Sequence, residues 1–176
     1  MKDIIARKRT DEYRNYGKTV ESYAGKGFFP LEGKFNRISG TGVRTVTENY
    51  MSDDYRMYFE KIVDYCRENE IELICFVSPT PEYTMVRTKN YDSFVTQVKE
   101  VCDGYEVPFY DFNLANPSVL DLKDDDFMDY NHLNSSGADK FTRVFAEFFA
   151  GNIKEEELFY SSYSEKQEHL HKRFLG

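Results

Sequence analysis

Three segments of the chain carry apolar residues three or four positions apart, the spacing that places side chains on one face of an α-helix. They cover residues 52–69, 91–102 and 135–151. Since the opposite faces are polar, the pattern predicts amphipathic helices that cover a common core. The positions expected to face inward are Tyr55, Phe59, Ile62, Val63 and Cys66 in the first helix, Phe94, Val95, Val98 and Val101 in the second, and Phe141, Val144, Phe145, Phe148 and Phe149 in the third.

Residues that favour helix ends flank each of these segments. Ser52 or Asp53 can cap the first helix, because a short oxygen-bearing side chain accepts a hydrogen bond from a free amide of the first turn. Gly104 is a suitable C-terminal stop for the second helix. Ser135 or Ser136 can cap the third. Periodicity and caps therefore agree on where the helices begin and end.

Short apolar runs between the helices predict β-strands. Residues 71–77 form a nearly unbroken apolar run that ends just before Ser78 and Pro79, which favours a strand buried on both faces, as in a parallel sheet. Residues 107–112 predict a second strand, and residues 43–47 a short one. Strands that are separated by a helix become parallel neighbours. The order of elements therefore predicts an α/β fold, a three-layer sandwich with a mostly parallel, flavodoxin-like sheet.

Composition divides the chain into three parts. Residues 1–50 predict an N-terminal helix, over residues 1–24, and then an irregular segment rich in glycine. Residues 51–151 hold the α/β core. Residues 152–176 are strongly charged and predict a helical tail that either packs on the body or meets a partner.

Composition and charge exclude several classes of protein. The chain has 176 residues with 15 Phe and 14 Tyr, enough for one domain with a ring-rich core. Its formal net charge of −8 has the wrong sign for a nucleic-acid-binding surface. No apolar run approaches the roughly 18 residues of a membrane span, and none forms a signal-peptide core. The predicted buried faces include Cys66, Cys75 and Cys102, which we expect to be reduced thiols. No Cys/His spacing predicts a metal site, and no cofactor is expected.

The segment from Asp126 to Asn134 carries the candidate chemistry. A catalytic imidazole must be held in one tautomer by an acceptor on its second nitrogen. His132 lies on a loop after a predicted parallel strand, where open α/β sheets bind ligands, and Asp129 precedes it on the same loop. His132 also precedes a helix N-terminus, whose positive end disfavours the imidazolium. These residues predict an acid–base pair, with Asn113 and Asn134 at the border of the site.

The run of residues 129–138, Asp-Tyr-Asn-His-Leu-Asn-Ser-Ser-Gly-Ala, is followed by a Phe-rich helix and resembles the final block of the SGNH (GDSL-type) hydrolases. Residues 75–82 and 108–113 resemble the ends of the last two strands of that fold. The subgroup most similar is that of DltD and the alginate O-acetyltransferases, which are cell-surface or extracytoplasmic proteins. By this resemblance His132 is the general base and Asp129 its orienting partner. The implied reaction is ester hydrolysis or O-acyl (acetyl) transfer on a cell-surface carbohydrate or a small acyl ester.

The nucleophile of that family has no clear counterpart. Its serine lies in a Gly-Asp-Ser block after the first strand, and its oxyanion-hole Gly and Asn follow; none of these is found here. The resemblance therefore covers the C-terminal half of the fold, without the N-terminal strands. Ser78, after the buried strand, and Ser39, on a glycine-flanked turn, are the candidate nucleophiles. Otherwise the front half was lost or the gene product is truncated.

The same residues allow other interpretations. The loop that holds Asp129 and His132 can be structural, in a non-catalytic module that keeps the back half of the fold for binding or assembly. Such a module would expose an edge strand and form a homodimer. The acidic residues 124–126 predict a solvated loop or, with Asp129, a cation site. The rings that could form a carbohydrate-binding surface are Tyr83, Tyr160 and Tyr163.

Overall fold

The computed structural model describes residues 33–37, 44–45 and 50–174. The helix predicted over residues 1–24 and the candidate nucleophile Ser39 lie outside them. In chain order the elements are β1 (Arg44–Thr45), α1 (Asp53–Glu68), β2 (Cys75–Val77), α2 (Glu82–Val86), β3 (Thr88–Lys89), α3 (Tyr91–Gly104), β4 (Phe109–Asp111), α4 (Ser135–Phe149), α5 (Glu155–Leu158) and α6 (Tyr163–Phe174), with short 3₁₀ helices at Phe112–Leu114 and Asp124–Asp126. The chain is thus a mixed α/β protein, as predicted.

The strands form two short parallel pairs. β2 pairs with β4, with Cys75 opposite Phe109 and Val77 opposite Asp111. β1 pairs with β3. The parallel arrangement of β2 and β4 confirms the prediction from the strand–helix–strand order. Both strands have three residues and are shorter than the predicted runs 71–77 and 107–112.

Helices contact both faces of the β2–β4 pair. On one face, Cys75 and Phe109 pack against a cluster formed by Val63 of α1 and Cys102 of α3. Successive strand residues point to opposite faces, so the neighbouring rings turn toward α4. There the centroid of Phe76 lies 5.1 Å from that of Phe145, and Tyr110 lies 5.0 Å from Phe148.

The prediction that the strand at β2 is buried on both faces is wrong. The side chain of Phe76 is 45% exposed, and Ile71, which precedes the strand, is 49% exposed. Within the described residues β2 pairs with β4 alone, and the rings of Phe112 and of α4 that pack against Phe76 leave much of it in solvent. An apolar run therefore marks a strand here but not a central one.

The inward face of α1 is also narrower than predicted. Val63 and Cys66 are buried and Phe59 is half-buried, but Tyr55 is 60% exposed and Ile62 51% exposed. The surface beneath α1 is small, because it is built on a two-stranded ladder. This surface buries one line of α1 side chains, and the apolar side chains on either side of that line stay in solvent.

The cap of α4 differs from the predicted serines. Asn134 caps this helix, since its side-chain oxygen accepts a hydrogen bond from the amide of Gly137 at 3.1 Å. Ser136 instead donates to Asp126 at 3.0 Å. The remaining predictions for helix ends are close in position: Ser52 is the N-cap of α1, although its side chain forms no capping hydrogen bond, and α3 ends at Gly104.

The charged tail packs on the body of the protein. Leu158 of α5 and Leu170 of α6 are 0% exposed. Leu158 joins the cluster of Phe112 and Leu120, and Leu170 joins a cluster with Met85 of α2. Burial of two leucines on separate elements holds the tail to the core, at roughly 2 kcal/mol each.

Candidate functional site

Asp129 and His132 lie on a small closed loop. Phe127 and Leu133 form an antiparallel bridge, and the amide of Met128 donates to the carbonyl of His132 at 2.8 Å. The chain between them reverses direction within a few residues and then enters α4. The loop is therefore closed by backbone hydrogen bonds on the side of the core.

The carboxylate of Asp129 contacts the imidazole of His132. Nδ1 of His132 lies 3.0 Å from Oδ1 and 2.9 Å from Oδ2 of Asp129. Oδ1 also accepts hydrogen bonds from the amides of Asn131 at 2.7 Å and of His132 at 2.9 Å. These bonds fix the carboxylate, which in turn favours the proton on Nδ1 and leaves Nε2 as the proton acceptor. The contact predicted from the spacing of the two residues is thus present.

The hydrogen bonds at Asp129 lower its pKa. Burial acts in the opposite direction and would raise the pKa, but the His132 side chain and the two amides outweigh it. The carboxylate is therefore ionised at neutral pH, the state that an orienting partner of a histidine requires.

The ring of His132 is open to solvent, and no described serine is bonded to it. The side chains of His132 and Asp129 are 61% and 39% exposed. Ser78 follows β2, as predicted, and is exposed, but in the described part of the chain no serine hydroxyl forms a hydrogen bond with the imidazole. The structure thus brings Asp129 and His132 together, and within the described residues it places no serine hydroxyl in hydrogen-bonding contact with the imidazole.

A buried polar network joins the carboxyl ends of β2 and β4. Tyr91 donates to Asp111 Oδ2 at 2.8 Å, and the Nδ2 of Asn113 donates to the Tyr91 hydroxyl at 2.9 Å. The oxygen of Asn113 accepts from the amide and the hydroxyl of Thr80 at 2.8 and 3.0 Å. Asn113, predicted to border the site, therefore ties the loop after β2 to the end of β4.

Burial changes the acidity of this network. It raises the pKa of Asp111 to about 6, although hydrogen bonds from Tyr91 and Asn113 and the charge of Lys166 act against it. Burial and the Asp111 charge also raise the pKa of Tyr91 well above its usual range. Asp111 can thus exchange a proton near neutral pH inside the protein.

A cavity of about 350 Å³ lies beside the network. Thr80, Tyr91 and Asn113 supply polar groups to its wall, and Met85 supplies an apolar side chain. Asn131, the residue before His132, lines the same cavity. The Asp129–His132 loop therefore borders a space at the carboxyl end of β2, the edge where α/β sheets bind ligands.

Asn134 and the acidic run have structural roles that no sequence pattern indicated. Asn134 is buried, and besides capping α4 it donates to the carbonyls of Gly33 at 2.8 Å and Asp125 at 2.7 Å. Asp126 is only 3% exposed rather than solvated, and it pairs with Lys140 at 2.7 Å. Its neighbours form ion pairs as well, Asp125 with Lys34 and Asp124 with Arg37.

Each carboxylate of the acidic run thus faces a basic side chain, which disfavours a cation there. Within the described residues, no group of three or more His, Cys, Asp or Glu side chains could hold a metal ion. The same part of the chain contains no helix long and apolar enough to cross a membrane.

No local pattern in the sequence indicates the buried charged pair of Lys166 and Glu82. Lys166 is 3% exposed and lies 3.0 Å from Glu82, and Lys166 also donates to the carbonyl of Ala115 at 2.8 Å. In the sequence Lys166 stands in a charged tail, where a solvated side chain is the default expectation.

The three cysteine thiols are free, with Cys66 and Cys102 buried and Cys75 half-buried. Burial raises the pKa of Cys102 to about 12, so its thiol is protonated and unreactive at neutral pH.

Fold and site together define a mixed α/β protein with an aspartate–histidine pair at the carboxyl edge of a parallel strand pair. A family model for an uncharacterised domain matches residues 38–154, more than half of the chain, and the chain belongs to that family. No curated protein and no solved structure matches the chain. The matched region includes both strand pairs and the Asp129–His132 loop and ends just before α5.

Proposed function

We propose that the chain is an SGNH-type protein whose Asp129–His132 pair serves acyl-ester chemistry. The observation that carries the proposal is the double contact of His132 Nδ1 with the carboxylate of Asp129, which leaves Nε2 as the base. The position of the pair, just ahead of a capped helix and beside a cavity at the carboxyl end of β2, supports it. The proposed fold is the three-layer sandwich of that family, because helices contact both faces of the β2–β4 pair.

The proposed reaction is transfer or hydrolysis of an acyl group, acetyl above all, on a cell-surface carbohydrate or a small ester. Nε2 of His132 takes the proton of a serine hydroxyl while the oxygen attacks the ester carbonyl. The alcohol leaves with that proton, and water or a sugar hydroxyl then releases the acyl group by the same route. Ser78 and Ser39 are the candidate nucleophiles. The site of action is proposed to be cell-surface, as in the family that the sequence resembles.

An esterase assay with an active-site probe tests this proposal. Purified protein is incubated with p-nitrophenyl acetate, and separately with a fluorophosphonate probe whose site of attachment is mapped by mass spectrometry. We expect turnover that falls about 100-fold or more in His132→Ala, since a general base typically contributes at least that much. His171→Ala, which removes an exposed histidine of α6, is the matched control and keeps the activity. No labelled serine, together with equal rates for both variants, would reject the enzymatic role.

A second function is favoured by the exposure of Phe76. A module that kept only the back half of the fold would carry an apolar ring beside an unpaired strand edge. Phe76 of β2 is 45% exposed, and within the described residues β2 has a partner strand, β4, on one edge only. On this view a second copy covers the strand and the protein is a homodimer. Analytical ultracentrifugation distinguishes the two: Phe76→Ser should convert a dimer to a monomer, whereas a wild-type protein that is monomeric at high concentration contradicts the module.

A further inference from the structure

Two cavities adjoin on the tail side of the protein, with volumes of about 720 and 660 Å³. Both are lined by the same four residues, Glu155, Phe159, Tyr160 and Ser161. They therefore form one continuous depression, which we call the tail trough. Its remaining walls are formed by residues of α3, β4 and the first half of α6, together with Leu114 and Asn116. The trough does not include Asp129 or His132 and is a separate feature of the surface.

The wall that carries Tyr160 is held at both ends. Before it, Leu158 is 0% exposed and its carbonyl accepts from the amide of Asn116 at 2.7 Å, and the amide of Tyr160 itself donates to Leu114 at 2.9 Å. After it, Lys166 is buried in its pair with Glu82. Because both ends of this wall are fixed, the trough is already formed in the free protein. The wall residues therefore lose little conformational entropy when a ligand binds.

Tyr160 stands where the two cavities meet and supplies a half-buried ring. The ammonium of Lys166 lies 5.2 Å from the ring centroid, and the ring of His169 lies 5.8 Å from it. These contacts fix the orientation of the ring. A fixed aromatic ring offers a flat apolar surface to the C–H face of a pyranose, and its hydroxyl is available for hydrogen bonding.

Hydroxyl and carboxylate groups surround this ring. Ser161 and Glu165 bond to each other at 2.7 Å, and Ser162 and Ser164 are exposed beside them. Hydroxyl groups donate and accept, and carboxylates accept, so the trough complements a ligand that presents hydroxyls on several sides. The backbone of Phe159 is already paired with that of Ala115, so this wall offers no open edge to an extended peptide.

The charges of the trough select against anions. Lys99 is the basic residue on its described walls, and it is engaged by Asp103 at 3.0 Å. The carboxylates on the same walls outnumber it: Asp92, Asp111, Glu155, Glu156 and Glu165. A phosphorylated or sulfated polymer would be repelled at this surface, whereas an uncharged or positively charged ligand would not.

From this combination we propose that the tail trough binds an oligosaccharide that is uncharged or carries amino groups. The two adjoining cavities provide the space, Tyr160 provides the stacking surface, and the serines and carboxylates provide the polar contacts. The inference is independent of the proposed acyl chemistry, because its main residues belong to the tail and a non-catalytic protein could bind a glycan equally well.

Amide chemical shifts of ¹⁵N-labelled full-length protein test the inference. The probes are chitotetraose as the uncharged glycan, the chitosan tetrasaccharide as the amine-bearing one, a heparin-derived tetrasaccharide as the anionic one, and octalysine as a cationic peptide. We expect saturable shifts at residues 160–167 with the first or second probe and none with heparin. Octalysine or heparin binding at these residues, or no shift with either of the first two glycans, would overturn it.

Variants of the ring give the second criterion. Tyr160→Ala should weaken glycan binding by about tenfold, the loss expected for one stacked ring, while Tyr160→Phe retains it. Tyr58→Ala, which removes a 60% exposed ring on α1, is the matched control and leaves binding unchanged. If Tyr160→Ala is poorly folded, Ser164→Leu, which fills the trough from an exposed position, must abolish the shifts. Undiminished binding in a folded Tyr160→Ala or in Ser164→Leu would refute the role of the trough.

Discussion

The ammonium of Lys166 and the carboxylate of Glu82 lie 3.0 Å apart, although the two residues are separated by 84 positions in the sequence. Lys166 is 3% exposed and also donates to the carbonyl of Ala115, while Glu82 receives a second ion pair from Arg173. Burial lowers the pKa of Lys166, and the charge of Glu82 acts in the opposite direction. The pair thus joins α2 to α6 through an interaction that is largely shielded from water.

Removal of this lysine should destabilise the protein strongly. Lys166→Ala removes the donor to the Ala115 carbonyl and leaves Glu82 with Arg173 as its remaining ion-pair partner, which costs about 3 kcal/mol. The free energy of unfolding, measured by urea denaturation at pH 7, checks this value. Lys172→Ala, at an exposed position of the same helix, is the control and should cost less than about 0.5 kcal/mol. Equal losses for the two variants would mean that the buried pair contributes nothing.

Asp111 should make stability fall as the pH rises. Its pKa is raised from 3.8 in the unfolded chain to about 6 in the folded protein, mainly by burial, so the folded state binds this proton more tightly. The contribution is complete below pH 3.8 and is lost as the pH rises through about 6. Its size is about 3 kcal/mol. Other carboxylates titrate in the same range, so the quantity to measure is the difference in unfolding free energy between wild type and Asp111→Asn.

That difference should favour wild type at pH 4 relative to pH 7, and it should level off above about pH 7. A ¹³C titration of the Asp111 carboxyl in the folded protein provides an independent check, with a midpoint near 6 expected. A midpoint below 4, or a difference that does not vary with pH, would contradict the assignment.

Substitution by alanine should change the stability of the protein in opposite directions at two glycines, Gly137 and Gly104. A Cβ at Gly137, in the first turn of α4, would lie 2.0 Å from the carbonyl oxygen of Asp126, a backbone atom that cannot move aside. Gly137→Ala should therefore cost about 3 kcal/mol or more. At Gly104 no atom lies within 4 Å of the added Cβ, so Gly104→Ala should stabilise the protein by about 0.5 kcal/mol. Thermal unfolding of both variants decides the matter; a stable Gly137→Ala protein would show that α4 does not pack this closely.

The tautomer of His132 should depend on Asp129. With the carboxylate against Nδ1, the neutral ring carries its proton on that atom. Long-range ¹H–¹⁵N spectra at pH 8 should show the Nδ1–H form in wild type. In Asp129→Ala the acceptor is lost and the Nε2–H form, ordinarily preferred by free imidazole side chains, should dominate. Because the pair is exposed, the stability cost should stay below about 1 kcal/mol. An unchanged tautomer in the variant would show that the pair does not orient the ring.

The sequence predicted what is encoded locally. The ends of α1 and α3 followed from periodicity and caps, since both depend on residues within one or two turns. The contact between Asp129 and His132 followed for the same reason, because a loop of this length brings the two side chains together. The role of the pair in catalysis stays a prediction.

Features that depend on contacts between distant parts of the chain were not predicted. An apolar run predicts a strand but does not say how many neighbours the strand has, and this is why Phe76 was expected to be buried. The hydrogen bond of Tyr91 to Asp111 exists because β2 and β4 pair and place α3 beside them, which no local pattern encodes. The capping role of Asn134 was missed because three consecutive residues, Asn134, Ser135 and Ser136, are all good caps.

The burial of Leu158 and Leu170 determines how far the chain can be shortened at its C-terminal end without exposing its core. The family match ends at residue 154, yet both leucines lie beyond it and fill the clusters around Phe112 and Met85. A fragment trimmed to the matched region would uncover both clusters and lose the Lys166 pair as well. The segment shared with the family, residues 38–154, is therefore shorter than the segment that is needed to complete the core, which includes α5 and α6.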